Sequence, residues 1–174
     1  KVKPNVFMMT VRPSMKAKYF WVSLCEAIPG DKAKHDLYTH SSLYFILSRI
    51  IEKLNGLGNC FLLIDEAGKC SYRMLEYIHE LRDHTKDSTG IVLAAPNYFK
   101  SNLMKWVRQE KVGIGEFYRR VAYFEELLPP DRSEVRSFCN HYGVTDPEVV
   151  KALIIETKDF GSLHNNIIEH LNNN

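Results

Sequence analysis

Cys60-Phe61-Leu62-Leu63-Ile64 is the most apolar run in the chain, and two carboxylates, Asp65 and Glu66, follow it at once. Five consecutive apolar residues leave a strand no polar side, so both of its faces need cover. Helices packed on a parallel sheet supply such cover. The run is too short for an ordinary helix, and the Asn55-Gly56 and Gly58-Asn59 pairs before it are turn chemistry.

The rest of the chain alternates in the same sense. Val6 to Val11, bounded by Pro4 and Pro13, reads as a buried strand. Ser14 offers an N-cap, and Ala17, Phe20, Trp21, Leu24 and Ile28 follow at helical spacing up to Pro29-Gly30. Residues 31–40 are polar and read as a loop. Ser41 or Ser42 opens a second helix, with Leu43, Leu47, Ile50, Ile51 and Leu54 on one stripe. A third helix is predicted from Ser71 to His84, and Ile91 to Ala95 is another buried strand. Residues 98–120 are helical in two pieces broken near Gly113 and Gly115. Val121 to Phe124 reads as a last strand, stopped by Pro129-Pro130. This order predicts an α/β fold: a parallel sheet with flanking helices over residues 1–128. Residues 129–174 change character. Asp131-x-x-Glu134 and Thr145-x-x-Glu148 are capping-box patterns, Gly143 suits a helix C-cap, and Leu163, Ile167, Ile168 and Leu171 form a stripe. Three short helices are expected there.

Composition bounds the function. No apolar run approaches the roughly 18 residues of a membrane helix, so no membrane partner is expected. Cys25, Cys60, Cys70 and Cys139 form no CxxC pair and no His lies at zinc-finger spacing, which predicts reduced thiols in a cytosolic protein. Residues 1–128 hold 19 Lys and Arg against 14 Asp and Glu, net +5; residues 129–174 hold 4 against 7, net −3. That asymmetry fits two solvated surfaces, or a basic core facing a polyanion.

Asp65 and Glu66 are the best candidates for chemistry. The C-terminal edge of an open α/β sheet is where ligands bind. One carboxylate there can hold Mg²⁺ through its waters, and its neighbour can orient a water for attack on a γ-phosphate. The bland alternative is an acidic helix start that favours the helix dipole.

Phe61-Leu62-Leu63-Ile64-Asp65-Glu66-Ala67 resembles the Walker B motif of the AAA+ ATPases. A helix and a second buried strand come next, as in that family, and their order strengthens the resemblance. It implies ATP and Mg²⁺ as cofactors, with Asp65 at the metal and nucleotide and Glu66 activating water. Asn97 stands where the family has its polar sensor-1 residue. Gly115-Glu116-Phe117-Tyr118-Arg119-Arg120-Val121 resembles the segment of the arginine finger, with Arg120, nearest the strand, preferred over Arg119. The helical tail resembles the lid. Within the superfamily, the short lid and residues 60–130 look most like the DNA-transposition regulators typified by the phage Mu B protein. That implies ATP between self-associated protomers, non-specific binding to duplex DNA, and a transposase partner. Arg12, Lys16 and Lys18 would then touch DNA phosphates; a solvated surface is the other reading.

The sequence departs from the pattern in two places. No Gly-x-x-x-x-Gly-Lys-[Ser/Thr] occurs, so the backbone cradle for the phosphates is expected upstream of Lys1, and the chain is expected to be a fragment without the family's first strand. Gly161-Ser162 stands where the lid would offer a sensor-2 Arg. A non-catalytic or STAND-type P-loop module for protein–protein contact is therefore the alternative. His79 and His84 are expected on the exposed side of their helix, Trp21 and Phe20 in the core, and residues 83–87 in a polar loop.

Overall fold

The computed structural model describes residues 4–30 and 41–173. The loop expected over 31–40 lies outside them. The chain forms two compact units, Lys1–Ala122 and Tyr123–Asn174. The first is α/β. Its three strands, β1 (Asn5–Thr10), β2 (Cys60–Asp65) and β3 (Thr89–Leu93), form a parallel sheet in the order β1-β2-β3. Phe7 lies beside Leu62 and Leu62 beside Ile91; Met8, Leu63 and Val92 form the next row.

Helices α1 (Ala17–Ala27) and α2 (Leu43–Leu57) connect β1 to β2; α3 (Tyr72–Thr85) connects β2 to β3. Strand order equals chain order, so right-handed crossovers place these connections on the same face of the sheet. Leu62 and Ile64 on that face are fully buried, and Phe7, Met9, Ile91 and Leu93 pack against the same core as Phe20, Trp21, Ile50, Leu54 and Leu75. Lys53 of α2 donates to the Cys25 and Ile28 carbonyls at 2.6 and 3.0 Å, tying α2 to the last turn of α1.

The other face is apolar and open among the described residues. Val6 is 62% exposed, Met8 60% and Val92 42%, while Phe61 and Leu63 are half-buried. β1 and β3 are thus covered on one face only, not buried as their composition predicts. The reason is topological: a sheet gains helices on its second face only where the winding direction reverses, and β1-β2-β3 contains no reversal.

Past β3, α4 (Tyr98–Arg108) and α5 (Ile114–Arg120) pack on each other, and α5 packs on α3. Gly113 precedes α5 at φ 77°, and a Cβ there would meet Glu76 Oε1 at 2.6 Å, so only glycine suits that turn. The strand expected over Val121 to Phe124 does not form. Val121 closes α5, its N–H bonding the Tyr118 carbonyl, and residues 121–130 hold no regular structure. A strand exists only where a partner's edge accepts its backbone groups, and none of the described strands pairs with this segment. The first helix also starts later than Ser14 predicts, at Ala17 after Lys16, which makes no side-chain cap.

The second unit packs α6 (Arg132–His141), α7 (Pro147–Glu156) and α8 (Phe160–Asn172) around Val135, Cys139, Leu153, Leu163 and Ile167. The Asp131–Glu134 capping box forms as predicted, and Gly143 takes φ 77° after α6. Thr145 does not cap α7. Asp146 does, accepting from the Glu148 and Val149 N–H groups with Pro147 in the first turn. Asp159 and Ser162 make a second capping box. No helix among the described residues is long and apolar enough to cross a membrane. All four thiols are free and buried, and burial pushes Cys70 up to about 12.

Candidate functional site

The alternation of side chains along β2 places Asp65 on the open face, in line with Phe61 and Leu63. The strand ends are bonded together around it. The Val11 N–H donates to the Asp65 carbonyl at 3.0 Å, Ala94 to Ile64 at 2.9 Å, and Ala67 to Ala94 at 2.9 Å. The exits of all three strands therefore form one rigid edge.

Asp65 Oδ1 accepts from the Glu66 N–H at 2.8 Å, and Glu66 adopts φ 56°, ψ 33°. A left-handed conformation costs a non-glycine residue about 1–2 kcal/mol, and strain of this kind gathers at functional sites. The short turn Ala67–Lys69 follows. Glu66 meets Lys69 Nζ at 3.2 Å, both about a third exposed. Ion pairs that open are worth at most about 1 kcal/mol, so Glu66 can trade this one for another partner. Tyr98 lies over the turn: a Cβ on Gly68 would sit 2.9 Å from its hydroxyl. A carboxylate can accept a hydrogen bond at one oxygen and reach a hard cation or its waters through the other. Asp65 has one oxygen engaged in this way, while no group of three or more His, Cys, Asp or Glu side chains gathers as a metal site among the described residues.

The other predicted residues fall into two groups. Asn97 immediately precedes α4 at this same edge, exposed, where the chain leaves β3. Arg12 and Lys16 belong to the connection from β1 into α1, which leaves from that edge too, and Lys18 lies in the first turn of α1; Arg12 and Lys16 are exposed and Lys18 half-buried. Arg119 and Arg120 are elsewhere, at the end of α5. Arg120 Nε donates to Asp83 Oδ1 at 3.2 Å and its Nη2 to Oδ2 at 3.4 Å. Asp83 lies 12 residues along from Ser71, which caps α3, or about 18 Å at the helical rise. Arg120 thus stands at the far end of α3 from its own Asp65 and Glu66. Arg119 pairs with Glu116 at 3.6 Å.

Two groups carry no signal in the sequence. Lys69 belongs to no motif, and only the turn after β2 brings it onto Glu66. Asp83 is not in a loop, because α3 continues to Thr85. It gathers Arg82 at 2.8 Å, Arg120, and His79 Nε2 at 3.2 Å, the last as an ion-pair contact without a hydrogen bond. His79 is half-buried here rather than on the exposed side; His84 is exposed. The Arg82 hydrogen bond lowers the Asp83 carboxyl most; desolvation opposes it, and the Arg120 hydrogen bond with the charges of His79 and Arg120 carries it down to about 2.

No curated protein matches the chain. A family model described as an AAA domain matches residues 1–103, from β1 through β2 and β3 into α4. That span holds Asp65, Glu66 and Asn97, with Arg119, Arg120 and the helical unit beyond it. A parallel α/β sheet whose central strand ends in an acidic pair, matched over more than half of its length, makes this chain a member of the AAA domain family of ATPase-type modules.

Proposed function

We propose that this domain carries the metal-and-water half of an ATPase site, within a cytoplasmic protein that acts on DNA in transposition. The observation that carries the reading is Asp65 and Glu66 on one rigid sheet edge, with Glu66 held left-handed. Bound Mg²⁺ would supply charge stabilisation at the phosphates, and Asp65 would hold it through its waters. Glu66, leaving Lys69, would orient the attacking water and take its proton. Asn97 would touch the γ-phosphate. Arg119 or Arg120 would serve a neighbouring protomer, because the end of α5 is remote from its own acidic pair.

The described residues contain no phosphate cradle, and the sheet suggests where one belongs. Asp65 shares its face with Val6, Met8 and Val92, which stay exposed among the described residues. A strand, glycine-rich loop and helix added beside β3 would reverse the winding, cover that face, and bring the loop to Asp65. For the DNA role, support comes from Arg12 and Lys16 exposed at the same edge, together with the likeness to Mu B-type regulators, which also suggests self-association and a transposase partner. The absence of a cradle among the described residues also favours a second reading, a STAND-type or adaptor module for protein contact.

The test begins upstream of Lys1. A reading frame with no phosphate loop there would favour the adaptor. In a polypeptide extended to include the loop, Glu66→Gln should still bind ATP while turnover falls about 10²–10⁴-fold; the 174-residue chain alone should turn over none. The trapped form should hold duplex DNA with a steep salt dependence, and replacing Arg12, Lys16 and Lys18 together should weaken it evenly across sequences. Unchanged turnover in Glu66→Gln would overturn the catalytic assignment. An unchanged salt slope in the triple variant would move the DNA surface elsewhere.

A further inference from the structure

Arg119 and Arg120 are adjacent in sequence but not in space. Successive helical residues turn by about 100°. Ile114 and Phe117 are the buried positions of α5. Arg120, three residues after Phe117, lies about 60° from it and borders the stripe that faces the core; Arg119 lies about 160° away, on the far side. The side chains follow this rule. That of Arg120 is 42% exposed and places its fork on both oxygens of Asp83. That of Arg119 is 69% exposed, and its partner is Glu116, one turn earlier on the same helix.

Asp83 is well placed to hold Arg120. Arg82 bonds the same Oδ1, and His79 approaches Oδ2 from the preceding turn of α3. The carboxylate is thereby held by contacts within α3 that do not involve α5. A planar guanidinium engaged at two nitrogens is set in direction as well as position. If Arg120 swung outward to a phosphate, it would give up two charge-assisted hydrogen bonds. Arg119 would give up one long, solvated contact.

We propose that Asp83 is a positioning residue: it fixes Arg120 as a brace between α5 and α3, and so leaves Arg119 as the arginine offered to a neighbouring protomer's nucleotide. The proposal rests on the ATPase reading above. It reverses the sequence-based preference for Arg120, which used distance to a strand that does not form.

Two measurements separate the brace from the reading beneath it. The first uses the 174-residue chain. The Arg120 Nε–H should exchange slowly with solvent by ¹⁵N NMR, and Asp83→Asn should make it as fast as that of Arg119. Fast exchange of Arg120 in the unaltered chain would overturn the brace, whatever the activity. The second uses the extended, hydrolysing protein. Arg119→Ala should lose turnover by about 10³-fold or more, the scale of an arginine acting across an interface, while still binding ATP. Mixing it with Glu66→Gln protomers should restore turnover, because each supplies what the other lacks. Arg120→Ala, Arg120→Lys and Asp83→Asn should each lose less than about tenfold, and Asp83→Asn with Arg120→Ala should lose no more than either alone. An Arg120→Ala variant that fell as far as Arg119→Ala and was rescued by Glu66→Gln protomers would overturn the assignment. Full turnover by Glu66→Gln alone would remove the ATPase reading, and this proposal with it.

Discussion

Asp83 shows how one side chain can take its role from groups distant in sequence. Its local environment is ordinary: an acidic residue beside Arg82 near the end of a helix. What sets it apart is Arg120, 37 positions later. Three basic groups stabilise its charged form, so its folded value, about 2, lies below the unfolded one near 3.8. A lowered value means the stabilisation is complete above the unfolded value and is lost as pH falls from about 4 through about 2. The side chain is a third exposed, so the effect is that of a surface network, about 1 kcal/mol at most. Asp83→Asn should therefore lower the melting temperature by no more than about 2–4 °C at pH 7, and the gap should narrow as pH falls through about 2 and close below it. A difference that persisted unchanged at pH 2 would mean the carboxylate acts through packing instead. Glu66 is the opposite case. Its importance is visible in the sequence, because the apolar run that positions it is contiguous with it. Its left-handed backbone and its pairing with Lys69 are not visible there, since both depend on how the chain turns off the sheet.

Elements are readable where their determinants are local. Ser42 and Ser71 cap α2 and α3 with hydrogen bonds three residues ahead, and Asp131 and Glu134 close a reciprocal box. Such bonds depend on residues within one turn. Where two caps compete, the sequence alone misleads. Thr145-x-x-Glu148 has the pattern, yet Pro147 at the first helical position shifts the start by one, and Asp146 reaches the N–H of Glu148 at 2.8 Å. Asp146→Ala should cost the helical unit about 1 kcal/mol, while Thr145→Ala should stay within about 0.5 kcal/mol. Urea unfolding followed by hydrogen exchange in α7 would check this, and the reverse ranking would restore the threonine box. Val121 to Phe124 lies beyond the reach of local signals. Its composition suits a strand, but strand formation needs an edge from elsewhere in the chain, and α5 runs to Arg120 instead.

At the scale of the whole molecule, the open sheet face is the main consequence of topology. Val6, Met8 and Val92 stand exposed in neighbouring rows of one face. In the 174-residue chain, Met8→Lys should cost about 1 kcal/mol or less, because little apolar surface is lost from a side chain that water already reaches. If an added strand and helix cover the face, the same change in the extended polypeptide should cost about 2–5 kcal/mol, as for a core methionine. Urea unfolding of both lengths measures this; an equally small cost in both would mean that nothing covers Met8. The sequence by itself determined the parallel α/β class, the helical second unit, the local caps and the acidic pair at the end of β2, because each depends on residues within a few positions of one another. Only the tertiary structure decided which sheet face is covered, that Val121 to Phe124 is no strand, and which arginine Asp83 holds. These outcomes depend on crossover direction and on pairings between residues tens of positions apart, and no local pattern encodes them.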